Sequence, residues 1–193
     1  MARALILFAH PCEESFSSIL HRTVLDGLQQ RGWEVDDCDL YAEGFNPVLS
    51  AAERRGYHDT ATNTAPVADH VARLQAAQGL VMVFPVWNYG YPAILKGYFD
   101  RVFLPGVSFK LDNGKVSPAL KNFTKVAVVT TYGGTRFKSF LAGDPPRTLI
   151  KRTLRGLTWP APLDFMALYD MNNVGDSERR AFQARVAQRM AAF

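Results

Sequence analysis

The chain has 193 residues, 48% of them hydrophobic and 21% charged, with a net charge of +4, which describes one domain with room for a substantial core. No apolar run approaches a bilayer span and no long basic run is present, so neither membrane insertion nor nucleic-acid binding is expected. The two cysteines, Cys12 and Cys38, give neither a disulfide framework nor a zinc pattern, and no metal is expected.

Residues 3–9 are an apolar run and form the first strand. The chain enters this strand too soon for a secretory signal, so a cytoplasmic protein is expected. His10-Pro11-Cys12-Glu13-Glu14-Ser15-Phe16-Ser17 leads into a helix reaching about Arg31, with Phe16, Ile19, Leu20, Val24 and Leu28 at helical spacing and Gly32 as its stop. Trp33 to Asp39 is the second strand. A long loop runs to Ser50, which stands in capping-box relation to Glu53. Residues 59–65 read as loop and Pro66 to Gln78 as helix. Gly79 to Phe84 is continuously apolar, as a strand buried on both faces is.

The stretch Pro85-Val86-Trp87-Asn88-Tyr89-Gly90-Tyr91-Pro92 follows as a stiff aromatic loop. In the next segment, 93–103, Ile94, Leu95, Tyr98, Phe99, Val102 and Phe103 share one helical face. Residues 105–124 are an insertion in which Asp112-Asn113-Gly114-Lys115 predicts a hairpin. The fourth strand is 125–131, ending in Tyr132-Gly133-Gly134-Thr135. A helical stretch is predicted from about Pro146 to Arg155, a fifth strand within Leu163–Tyr169, and a last helix over 177–192. Five strand–helix alternations without repeat or linker predict a single α/β domain over residues 1–193: a five-stranded parallel sheet, order 2-1-3-4-5, with helices on both faces.

In that order the loops after strands one, three and four meet at one crevice. The first offers Ser15 and Ser17 at a helix start, which either hold a phosphate or simply cap the helix. His10 either touches the same phosphate or braces its own loop. The second carries Trp87, Tyr89 and Tyr91, suited to a flat conjugated ligand unless they are core aromatics. The third, Thr130-Thr131-Tyr132-Gly133-Gly134, offers hydroxyls and glycine-permitted backbone approach. Other chemistries fail on spacing. No G-x-G-x-x-G follows the first strand, and no P-loop or G-x-S-x-G is present. A cysteine phosphatase needs Arg where Ser18 stands, and a receiver domain needs Asp where Phe84-Pro85 stands. Cys12 reads as a small buried filler rather than a reactive thiol.

Taken together, His10-Pro11-x-x-x-Ser15-Phe16-Ser17, Asp39-Leu40-Tyr41-Ala42, Phe84-Pro85-Val86-Trp87, Pro92-Ala93-Ile94-Leu95-Lys96-Gly97 and Thr130-Thr131-x-Gly133-Gly134 resemble the NAD(P)H:quinone oxidoreductases, the DT-diaphorase-like branch of the flavodoxin-like fold, a three-layer sandwich. The resemblance covers most of the first two-thirds of the chain. It implies a bound flavin, FAD or FMN, one per subunit of a homodimer. His10, Ser15, Phe16 and Ser17 would hold its phosphate. Pro85, Val86, Trp87, Asn88 and Tyr89 would line the isoalloxazine, and Thr130, Thr131, Tyr132, Gly133 and Gly134 would close the other side. It further implies NAD(P)H as electron donor and a ping-pong cycle ending on a quinone or similar small electrophilic acceptor. Two departures stand out: Ser17 occupies a position where the family often has Asn, and no His follows Gly133-Gly134. Tyr132 is then the candidate catalytic tyrosine. A flavodoxin-like electron carrier and a flavoprotein regulatory subunit of a potassium-efflux system are the rival readings. The first of these prefers an acidic surface, which a pI of about 9.2 does not supply.

Overall fold

The computed structural model describes residues 1–112 and 114–193; Asn113 of the predicted hairpin turn lies outside the described residues. The central sheet is built from β1 (Arg3–Phe8), β2 (Glu34–Asp39), β3 (Gly79–Val86), β6 (Lys125–Tyr132) and β7 (Leu163–Leu168). All pairings in it are parallel, in the order β2-β1-β3-β6-β7. This is the predicted 2-1-3-4-5 pattern once the separate antiparallel hairpin β4 (Phe109–Asp112) and β5 (Lys115–Pro118) is set aside.

Side-chain alternation divides the core into two layers, because successive strand residues face opposite sides. Leu5, Leu7, Leu80, Met82, Phe84, Val126 and Val128 point to the layer under α3 (Ala68–Ala76) and α4 (Ala93–Val102). Ala4, Ile6, Phe8, Val81, Val83, Ala127 and Val129 point to the layer under α1 (Phe16–Gln30) and α8 (Asp176–Ala191). The middle of each central strand is therefore apolar on both faces. The edge strand β2, Glu-Val-Asp-Asp-Cys-Asp, is not. Three of its acids have side-chain partners: Arg3 on Glu34 (3.3 Å), Arg73 on Asp36 (2.7 Å), and the His21 ring nitrogen on Asp37 (2.7 Å). Charged edges of this kind discourage pairing with further strands.

The capping box at Ser50 and Glu53 forms as predicted and opens α2 (Ala51–Gly56). Glu53 also pairs with Arg101 of α4 at 2.6 Å. Beside that pair α4 meets the backbone of the 45–48 loop, and a Cβ on Gly97 would overlap Pro47. No other residue fits there. The predicted helix at 146–155 is three consecutive pieces, α6 (Pro145–Leu149), a π-helical turn Ile150–Leu154 and α7 (Arg155–Leu157). An additional short helix, α5 (Arg136–Leu141), follows β6, capped by Thr135. No helix among the described residues is long and apolar enough to cross a membrane.

Candidate functional site

The carboxyl ends of β1, β3 and β6 lie side by side, as the register Phe8↔Val83↔Val129 requires. The loop after β1 is organised by hydroxyls. Ser15 Oγ accepts the Ser18 N–H (3.1 Å), shares a hydrogen bond with Ser18 Oγ (3.0 Å), and Ser18 Oγ donates to the Cys12 carbonyl (2.9 Å). Ser15 is thus the N-cap of α1. Phe16 and Ser17 open the helix, so their N–H groups have no acceptor within it, and the positive end of the helix dipole sits with them. Ser17 is buried, and Phe16 packs onto the α1/α8 layer.

His10 Nδ1 accepts the Cys12 N–H at 3.0 Å. A neutral imidazole that accepts at Nδ1 carries its proton on Nε2. Burial lowers the His10 pKa from its ordinary value, which favours that neutral ring. Cys12 is exposed, contrary to the expectation of a buried filler: the turn that delivers its N–H to His10 faces the side chain outward.

β3 runs two residues further than expected, pairing Pro85 with Thr131 and Val86 with Tyr132. A proline is tolerated here for a specific reason. Val83 gives its carbonyl to Ala9, so Pro85, two residues on, faces the same side. β1 has already ended there, and no ladder donor is needed. The chain then makes a tight turn. Trp87 and Gly90 exchange both backbone hydrogen bonds (3.1 and 2.8 Å), and Asn88 and Tyr89 take φ of +49° and +54°, as a type I′ turn demands. The turn pushes Trp87 and Tyr89 outward, 41% and 43% exposed. Tyr91 goes the other way. It packs edge-on against Phe84 at 5.4 Å and donates its hydroxyl to the Pro146 carbonyl at 3.1 Å.

In the third loop Thr130 and Thr131 are buried, and the Thr130 hydroxyl has no hydrogen-bond partner among the described residues. Tyr132 is 1% exposed. Its hydroxyl donates to Asp144 Oδ1 at 2.8 Å, and its ring stacks on Tyr169 at 4.4 Å. Tyr169 donates to the other Asp144 oxygen at 3.2 Å. Burial, with Asp144 beside it, pushes the Tyr132 phenol far above its ordinary pKa. Gly133 is exposed and Gly134 half-buried.

The three loops touch. The His10 and Trp87 rings meet edge to face at 5.6 Å, and the Tyr89 hydroxyl lies 3.8 Å from where a Gly134 Cβ would be. They make an open shelf with two aromatic rings standing on it. A separate apolar cleft of about 280 Å³ lies between α4, the hairpin and the π-turn, lined among others by Tyr91, Phe99, Phe103, Leu149 and Leu154. Cys38, Glu43 and His70 also converge within 4.8 Å, but Glu43 is held by Arg73 at 2.8 Å and burial drives the Cys38 thiol far up. That cluster is a polar tie between β2 and α3, not a metal site.

Sequence reasoning missed Asp144 and Tyr169. The available signal was Asp144-Pro145-Pro146, an acidic residue immediately before a proline-opened helix.

The Flavodoxin_2 family, described as flavodoxin-like fold, matches residues 2–192. The chain belongs to the flavodoxin-like family. Among its relatives, a Haemophilus influenzae protein named "Uncharacterized NAD(P)H oxidoreductase" is 30% identical over 190 residues, 97% of this chain and 94% of that one. A Bradyrhizobium diazoefficiens protein named "FMN-dependent NADH:quinone oxidoreductase 1" is 32% identical over 123 residues, 58% of this chain and 59% of that one. The flavodoxin-like chain spans between 45% and 66% of the length of seven curated relatives, the Bradyrhizobium protein among them. The crystal structure of Smu.1420 from Streptococcus mutans superposes with a TM-score of 0.89 at 28% identity, covering 99% of this flavodoxin-like chain and 100% of that one.

Proposed function

We propose that this flavodoxin-like protein is a flavin-dependent NAD(P)H oxidoreductase that reduces quinones or similar small electrophilic acceptors in two half-reactions at one site. The observation that carries the reading is the shelf itself. Two exposed aromatics on a rigid left-handed turn stand between a helix start with free N–H groups and a buried hydroxyl without a partner. A flavin fits this donor set. Its phosphate matches the Phe16 and Ser17 N–H groups and the His10 Nε2–H, and its ring system matches Trp87 and Tyr89. Thr130 keeps an unused hydroxyl at the end of β6. When bound, the flavin supplies the hydride chemistry, and the protein supplies position and electrostatics. The names of the relatives, one an NAD(P)H oxidoreductase and one FMN-dependent, support the same reading.

The roles of this chain's residues follow. Ser15 and Ser18 fix the loop that presents the α1 N-terminus. Pro85 and Val86 seat the type I′ turn on the β3 end, and Asn88 completes it. Gly133 and Gly134 leave the third loop low enough for a planar ligand to approach. Tyr132 can reach an acceptor only by releasing Asp144. The reading that keeps its present bond makes it a positioning residue for the third loop. The donor and acceptor share the exposed face beside Trp87, so the first must leave before the second enters. The protein is proposed to be cytoplasmic and homodimeric, the partner covering part of the open shelf.

An absorption spectrum of the purified protein, followed by anaerobic addition of NADH and NADPH, tests this. Bound flavin that bleaches is the expected result. Protein that neither binds nor reduces added flavin removes the oxidoreductase reading. Bound flavin that neither nucleotide reduces favours a regulatory subunit or a one-electron carrier.

A further inference from the structure

Next to the shelf lies a concavity that the flavin reading leaves unused. It encloses about 790 Å³ between α5 and the 143–152 segment. Arg136, Arg147, Lys151 and Arg152 line it, with Phe137 and Phe140 as its aromatic walls. Phe137 and Phe140 are 69% and 74% exposed. Asp144 is the one carboxylate in the lining, and both its oxygens already accept hydrogen bonds, from Tyr132 and Tyr169. Among the described residues none of the four cations makes an ion pair. Arg147 spends its guanidinium face on the Phe165 ring, 5.6 Å away.

The arginines that tie elements of the fold together are matched to acids, Arg73 to Asp36 and Glu43, Arg101 to Glu53; the four cations here are set apart by facing one hollow together. Four unmatched cations facing one hollow repel one another, and a ligand with several negative charges relieves that repulsion. Guanidinium groups grip phosphate oxygens in a two-pronged fashion. Exposed phenylalanine faces beside them suit a flat base, which stacks on ring and guanidinium alike. The ligand that satisfies this combination is a phosphorylated nucleoside.

The concavity is mechanically joined to the shelf through the Tyr132–Asp144 bond, at the end of the strand that carries the third loop. We propose that it binds the adenosine 2′-phosphate end of NADPH and makes the protein selective for NADPH over NADH. This rests on the oxidoreductase reading and names the donor for it. The nicotinamide then reaches the Trp87 face while the far end of the same molecule is held by Arg136, Arg147, Lys151 and Arg152. The phosphate that distinguishes the two nucleotides carries roughly −1.5 to −2 charges near neutral pH.

The test is calorimetric titration of the flavin-loaded protein with NADP⁺, NAD⁺ and adenosine 2′,5′-bisphosphate, for the native chain and for Lys151→Glu/Arg152→Glu. Both positions are exposed, so folding is not at stake, and circular dichroism checks it. NADP⁺ and the bisphosphate are expected to bind the native protein at least about tenfold more tightly than NAD⁺, with an affinity that falls as salt rises. The double variant is expected to lose that discrimination by roughly 10–100-fold, the loss of one or two charge-assisted hydrogen bonds. Equal affinity for NADP⁺ and NAD⁺ in the native protein overturns the proposal. So does an unchanged ratio in the double variant. Failure of both reduced nucleotides to bleach the flavin removes the oxidoreductase reading instead. The bisphosphate titration needs no turnover and still decides whether the hollow recognises a 2′-phosphate.

Discussion

The Tyr132 hydroxyl donates to Asp144 Oδ1 across 2.8 Å, tying the end of a central strand to a residue that holds φ at +41°. The bond makes one unit of the third loop and the basic concavity. Asp144 sits in the left-handed region, disfavoured for non-glycine residues, and two phenolic donors hold it there.

Removing one donor therefore has a defined effect. Tyr132→Phe keeps the stacked ring and deletes a single hydrogen bond to a charged acceptor. The expected loss is about 1.5–3 kcal/mol in denaturant unfolding, with flavin content retained. The far-raised phenol predicts no limb near pH 10 in the native rate profile. Such a limb that disappears in Tyr132→Phe would instead establish Tyr132 as a catalytic acid.

The left-handed turn predicts opposite signs for stability and binding. Trp87→Ala/Tyr89→Ala removes two stacking faces, each worth about 0.5–1.5 kcal/mol, and should loosen flavin binding by roughly 5–100-fold. Tyr89→Gly should loosen it by less while raising the unfolding free energy of the flavin-free protein by up to about 1 kcal/mol, because glycine takes φ +54° without a Cβ penalty. Flavin-release titrations and melts of the apoprotein read the two effects. Unchanged occupancy in the Trp87/Tyr89 variant counts against the placement of the ring.

Gly97→Ala is the sharpest packing test. Its Cβ would meet both the ring and the carbonyl of Pro47. Backbone cannot yield as a side-chain tip does, so a loss of about 1–3 kcal/mol or more is expected. The equivalent change at exposed Gly156, where a Cβ meets nothing, should be near neutral.

Acid should destabilise the fold through two half-buried imidazoles. Burial lowers the pKa of His10 and of His70 below the ordinary 6.5. The unfolded chain then binds protons before the folded one does. Stability is at its full value above pH 6.5 and falls as pH drops through the interval between 6.5 and the folded values. Protonated His10 also loses the acceptor that holds the Cys12 N–H. His10→Gln should flatten the slope of unfolding free energy against pH below 6.5; an unaltered slope assigns the effect to His70 alone.

Much of this architecture is readable before any coordinates. The runs 4–9, 79–84 and 126–129 are apolar throughout and read as central strands, whose loops meet at one end. The Ser50–Glu53 box was equally plain. What escaped were contacts between distant segments. Trp87, Tyr89 and Tyr91 look alike in sequence, and only the type I′ turn sorts the first two outward and the third into the core. Pro85 reads as the start of a loop because nothing local reveals that β1 stops short beside it. Asp144 acquires its meaning from Tyr132 and Tyr169, 12 and 25 positions away. α5 is too short and too apolar on its exposed face to announce itself as an amphipathic helix.

Three acids of β2 are drawn into pairs within the fold, whereas Arg136, Arg147, Lys151 and Arg152 face one hollow with no acid paired to them among the described residues. The field that a solute meets there is positive and local. A multivalent anion diffusing toward it is turned to arrive phosphate-first at the hollow. Such guidance acts on the rate of arrival and not on the final grip. Its signature is an association rate that slows steeply with ionic strength while dissociation of the bound ligand barely changes.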